Sequence, residues 1–151
     1  MSAFTIMGYF SLRSGRRVRT EVRNNGTTKI LYHMHYVTSV DCSQSGPISA
    51  ELRKYSPPND IVLQDDTIAL ITAKAYIPPG TVPGSILLEV IRMAPVPVQS
   101  PGYMDPESDF RYPTVFAHGT VTGEHDGGQG GVVRFPMTTS DYVRGSTKQT
   151  I

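Results

Sequence analysis

The sequence predicts an all-β fold, a small antiparallel Greek-key barrel with a β-sandwich as the alternative, and three observations carry that expectation. The 151 residues include 14 glycines and 12 prolines, so turn formers interrupt the chain too often for long helices. Val, Ile, Thr and Tyr recur in short blocks between those turn formers, the pattern of strands. Six or seven such blocks at this spacing, with long strands first, suit a closed or two-layered sheet. With 38% hydrophobic residues and this length, we expect one domain over residues 1–151.

The opening segment, Ala3 to Leu12, alternates well enough for a strand and is expected to bend at Gly8. Ser14-Gly15 leads into Arg16 to Val37, which reads as strand, tight turn, strand around Asn24-Asn25-Gly26. A two-residue type I′ loop on Asn25-Gly26 would set Glu21 opposite Ile30 and Arg17 opposite Met34, mixing charge with apolar groups on both faces. A three-residue loop with a bulge at Gly26 pairs Val22 with Thr28, Thr20 with Ile30 and Val18 with Tyr32, and leaves one face apolar. We expect the second register. It gathers Arg17, Arg19, Arg23, Lys29, His33 and His35 on the other face, with Glu21 opposite Lys29, and points Tyr32 inward.

Pro47 to Lys54 begins with a proline suited to a helical first turn and is expected to form one or two helical turns, or else a short strand. Pro57-Pro58 ends it. Thr67 to Ile77 is the clearest central strand, with Ala69, Ile71, Ala73, Ala75 and Ile77 on a face that must lie against something close. Pro78 to Gly84 is a stiff loop, and Ser85 to Met93 is the expected antiparallel partner. Ala94 to Tyr112 has no sustained period and reads as a long surface excursion. Pro113 to Gly123 is a further strand, Glu124 to Gly131 a glycine-rich tip, and Val132 to Met137 the return. Thr139-Ser140-Asp141 is placed to cap a last helical turn.

Net charge is +1, yet residues 1–40 hold six basic residues against Glu21 alone, and residues 41–151 hold eight basic against twelve acidic. That asymmetry points to a localised positive patch. Arginines two apart on a strand project from one face about 7 Å apart, close to the spacing of phosphates along a single strand. The candidate contacts are therefore Arg13, Arg16, Arg17, Arg19, Arg23 and Lys29, with His33 and His35 at the margin. Tyr9, Phe10 and Tyr36 are the aromatic groups placed to stack on bases. Strand arginines also keep a sheet edge soluble, so the patch alone does not specify a ligand.

His33-Met34-His35 puts two imidazoles on one strand face, a geometry metal sites use. It resembles the cupin motif, in which a glutamate follows a His-x-His pair, but Tyr36 to Asp41 supplies no such glutamate, and we assign no metal or other cofactor. The loop Glu124 to Gly131 lacks the Gly-Lys-Ser/Thr end of a phosphate loop. Asp65-Asp66 reads as a solvated turn ahead of a strand. Ser140, Asp141 and His118 have nothing in the sequence to bring them together, so no catalytic residues are assigned and an enzyme is not expected. No apolar run approaches the roughly 20 residues of a membrane helix. Met1 to Ser11 has no basic n-region, and the one cysteine, Cys42, has no partner in the chain. The expected setting is intracellular, cytoplasmic or nuclear, away from membranes.

Two stretches, Pro113 to Gly123 and Thr138 to Lys148, resemble segments of uncharacterised proteins of mushroom-forming fungi, a resemblance that implies no activity. The long first strand, basic hairpin and later antiparallel strands loosely resemble the OB fold of single-strand-binding modules. That resemblance implies an OB-like barrel binding single-stranded nucleic acid without catalysis. The alternative expectation is a protein-interaction or assembly module, engaging another protein or a second copy through strand edges and the 94–112 loop. A cupin-like metal-dependent enzyme is the third.

Overall fold

β1 is the organising strand of the computed structural model, running from Ala3 to Asn24 and serving three neighbours in turn. The structure describes residues 3–42, 46–77, 85–97, 112–123, 126–127, 133–134, 136–143 and 146–150. β2 spans Thr27–Cys42, β3 Gly46–Tyr55, β4 Thr67–Tyr76 and β5 Ile86–Pro95. Hydrogen bonding runs β1-β2-β3-β5-β4 and returns from β4 to β1, so five strands close a ring. Every contact in it is antiparallel except β3 with β5, where Ala50 to Arg53 run parallel to Ile86 to Glu89. Closure leaves these strands no long open edge, in keeping with the small barrel expected from the sequence. β6, Thr114–His118, pairs outside the ring with Ala3 to Met7 of β1.

The remaining strands are short. β7 (Thr120–Val121), β10 (Met137–Val143) and β11 (Ser146–Thr150) form one sheet, and β8 (Asp126–Gly127) pairs with β9 (Val133–Arg134). The expected strand over 113–123 is divided into β6 and β7, and of its expected 132–137 partner only Met137 pairs with it, opposite Val121, while Val133 and Arg134 pair with Gly127 and Asp126. Pro78 to Gly84, most of the 94–112 excursion (98–111), and most of the 124–131 tip lie outside the described residues.

Strict alternation fills the ring. Ile6, Phe10 and Leu12 of β1, Met34, Tyr36 and Val40 of β2, Ala50 and Leu52 of β3, Ala69, Ile71, Ala73 and Ala75 of β4, and Ile86 and Leu88 of β5 point inward and are buried. The alanines of β4 are the close-packed face expected from the sequence. They offset Phe10, Met34 and Tyr36, because a small barrel has room for large side chains on some strands only.

β1 changes partner where its pairing passes from β4, last matched at Leu12↔Thr67, to β2, first matched at Arg13↔Val37. Between Arg13↔Val37 and Arg16↔His35, β1 advances three residues and β2 two, a bulge with one extra residue. Ser14 there takes the left-handed conformation, φ 54°. Its N–H donates to Asp65 Oδ1 at 2.8 Å, Arg13 pairs with Asp66 Oδ1 at 3.0 Å, and the Asp66 N–H donates to the Leu12 carbonyl at 2.8 Å. Asp65-Asp66 thus anchors the bulge. The chain between β3 and β4 covers the same end of the barrel: Val62 and Leu63 pack on the core, and the Leu63 N–H donates to the Tyr36 hydroxyl at 3.1 Å.

Pairing with β4 passes Gly8 without a register shift, and the shift in β1 lies between Arg13 and Arg16. Three expectations are settled differently from their first choice. Residues 47–54 take the strand alternative, as β3, because two neighbouring strands supply backbone partners that outweigh the favourable helical start. Residues 139–143 extend as β10 because β11 supplies their backbone partners. The hairpin adopts the two-residue loop, with Asn24 opposite Thr27 and Asn25 and Gly26 at φ 47° and 79°. Type I′ geometry matches the twist of the flanking strands, and the tip projects beyond the barrel, where neither face has a core to satisfy.

Gly15 is closely covered at the bulge. A Cβ there would lie 2.6 Å from Val62 Cγ1 and 2.8 Å from Tyr36 Cε1. Gly15→Ala is expected to reduce stability by about 1–3 kcal/mol, read as a lower urea midpoint. An unchanged midpoint would show that the covering segment adjusts freely and does not fix the bulge.

Candidate nucleic-acid interface

The extra residue in the bulge reverses which parity of β1 faces the barrel axis. Before it, even residues such as Phe10 and Leu12 point inward, and after it Arg17 shares a face with Met34. Arg17, Arg19, Glu21 and Arg23 therefore lie with Thr28, Ile30, Tyr32 and Met34 on one face. Arg16, Val18, Thr20 and Val22 lie with Lys29, Leu31, His33 and His35 on the other. The single basic face expected from the three-residue loop is thus divided in two.

On the first face, much of the charge has local partners. Arg17 stacks over the Tyr32 ring at 4.5 Å from its centroid and donates to the Pro57 and Pro58 carbonyls at 3.0 and 3.3 Å. Tyr32 shares the inward face of Met34 but lies beyond the core, so it is exposed rather than core-filling, and its ring holds this guanidinium. Arg19 pairs with Glu21 at 2.8 Å, which replaces the expected Glu21 to Lys29 contact. Arg13 is engaged by Asp66. Arg16, Arg23 and Lys29 are exposed and have no ion-pair partner among the described residues.

The second face continues onto the outside of the barrel, where register sets His33 beside Tyr55, His35 beside Arg53, Val37 beside Glu51 and Ser39 beside Ser49. Arg16 adjoins His35, extending that row onto β1. A shallow hollow of about 410 Å³ lies along this surface, lined by Ser11, Arg13, Val37, Thr38, Ser39, Pro47 and Ser49. A smaller one of about 70 Å³ adjoins it at Ser14, Arg16, His35, Tyr36, Val37 and Glu51. Arg53 belongs to this surface and pairs with Glu89 at 2.8 Å. Tyr55, 56% exposed, offers an aromatic ring at the end nearest the hairpin. The helical alternative for residues 47–54 would have hidden both, since only a β3 strand brings Arg53 and Tyr55 alongside β2.

Two of the three predicted stacking groups have no ring face open for a base. Phe10 is 2% and Tyr36 3% exposed, and both fill the core because inward alternation and the bulge direct them there. Tyr9 sits on the outer wall opposite Leu70 of β4, away from the β2 and β3 face. His33 and His35 share a face as expected, but among the described residues no group of three His, Cys, Asp or Glu side chains is placed to hold a metal ion. Compared with models of known protein families, with curated proteins and with solved structures, the chain finds no match.

His33 stands edge-on to Tyr55, ring centroids 6.3 Å apart, and its buried Nδ1 has no hydrogen-bond partner among the described residues. Burial lowers its pKa below the usual histidine value, Arg53 lowers it further, and Glu89 opposes. The native state therefore resists a proton that the unfolded chain accepts below about pH 6.5. This contribution to stability is complete above that pH and is lost as pH falls through the lowered native pKa. Urea midpoints are expected to drop between neutral and mildly acidic pH, and less so in His33→Gln. Identical slopes for the two proteins would assign the acid sensitivity to other groups.

Proposed function

We propose that this chain is an OB-type barrel that binds single-stranded nucleic acid, without catalysis, on the outer face of β2 and β3 and the adjoining flank of β1. The observation that carries the reading is the ring itself, closed in the order β1-β2-β3-β5-β4 with its second and third strands presenting an open, hollowed surface. In OB-type barrels the face of strands 2 and 3 takes oligonucleotides. Here that face carries the ingredients such binding needs. Arg16 supplies a cation with no ion-pair partner among the described residues, His35 adds a polar ring beside it, and Tyr55 supplies a π-face on which any base can stack. The serines along the hollow are suited to phosphate and sugar oxygens.

The contacts are differently distributed from the expected set. Arg13 and Arg17 double as structural groups at the bulge and the covering segment, so Arg16 is the cation on which this face depends most directly. Tyr55 replaces Phe10 and Tyr36 as the stacking group.

Arg16→Gln should weaken binding of a single-stranded oligonucleotide and make the salt slope shallower by about 0.7. Tyr55→Leu should cost about 1–3 kcal/mol of affinity with an unchanged slope, since stacking is lost and charge is not. Both changes lie at the surface and should leave the urea midpoint nearly unaltered. No binding by the unmodified protein at low salt would remove the proposal.

A further inference from the structure

The hairpin beyond the barrel is a two-stranded arm that the single-strand face does not need. β1 leaves β4 at Leu12, β2 meets β3 first at His33, and the Tyr32 carbonyl accepts from the Ser56 N–H at 2.8 Å, so residues 20–24 and 27–31 pair only with each other. Five residues of strand extend about 17 Å. Near the tip, Arg23 lies on one face and Lys29, paired with Val22, on the other. Both are exposed and lack an ion-pair partner among the described residues. Arg19 adds to the first face, although Glu21 holds it.

A single strand lying on one face would reach one of these cations and leave the other in solvent. Two phosphate backbones flanking the arm would reach both. A ribbon with side chains on both faces is about 10 Å thick, and the major groove of B-form DNA is about 12 Å wide and admits a two-stranded ribbon. The exposed Val22 and Ile30 would provide apolar contact inside such a groove. The A-form RNA groove is too deep and narrow for side chains to read.

Resting on the nucleic-acid reading above, we propose that the arm enters the major groove of duplex DNA while the β2 and β3 face holds a single strand, so that the preferred ligand is a junction between single-stranded and duplex DNA. Linking the two sites through one ligand makes the second contact intramolecular and raises affinity without new chemistry.

The test measures fluorescence anisotropy over a salt series with four probes: a single strand, a blunt duplex, a duplex with a single-stranded tail, and the same tailed duplex in RNA. The tailed DNA is expected to bind at least about tenfold more tightly than either simple DNA. Arg23→Gln and Lys29→Gln should each make its salt slope shallower by about 0.9, the effects should add, and single-strand binding should be unchanged. Equal affinity for single strand and junction, a loss confined to one of the two variants, or equal binding of the RNA junction would each overturn the arm's role and leave single-strand binding standing. Absence of binding to every probe at low salt would overturn the nucleic-acid reading together with it.

Discussion

Everything in this molecule depends on β1 having to serve two neighbours across one ring. A strand joined to β4 along its first half and to β2 along its second must bend sharply at the exchange, and one extra residue between Arg13 and Arg16 provides the bend. The bend is secured from outside the strand. Asp65 accepts the Ser14 N–H, Asp66 engages Arg13, and Val62 and Tyr36 close over Gly15, where a methyl group has no room. The chain between β3 and β4 is thus as much part of barrel closure as the strands are.

The same bulge decides how charge is distributed. By inverting the parity of β1 it places Arg17, Arg19 and Arg23 on the continuation of the inner face and leaves Arg16 on the outer wall. Near the barrel these arginines acquire partners, Arg17 on Tyr32 and the Pro57 and Pro58 carbonyls, while those further out do so less. The charge-rich segment therefore divides into a structural part, an outer-wall part and a tip. An unequal division of this kind explains why net charge on the segment overstates the cations available to a ligand.

The outer wall and the arm make different physical demands. The wall is backed by a closed core, so Tyr55, His33 and Arg53 stand on strands whose register is fixed on both sides. The arm is held only by its own ladder and by the twist of its type I′ turn. A rigid wall suits stacking, and a projecting ribbon suits insertion, which is why the two are assigned to different parts of one ligand.

The sequence by itself determined the all-β class, the alanine-lined central strand from Thr67, its antiparallel partner, and the concentration of positive charge in the first hairpin. Those features are local: alternation, turn residues and charge spacing act within a few residues along the chain. It also brought Arg16 and His35 into the candidate set. It did not determine that Phe10 and Tyr36 are core, which of helix or strand residues 47–54 adopt, or that the basic residues occupy two faces. Each of these follows from contacts between distant segments. β3 is extended because β2 and β5 flank it, and the hairpin takes the register that sequence patterning disfavoured because its tip has no core beneath it. Tertiary structure decided them because burial, and not spacing alone, sets which face of a strand must be apolar.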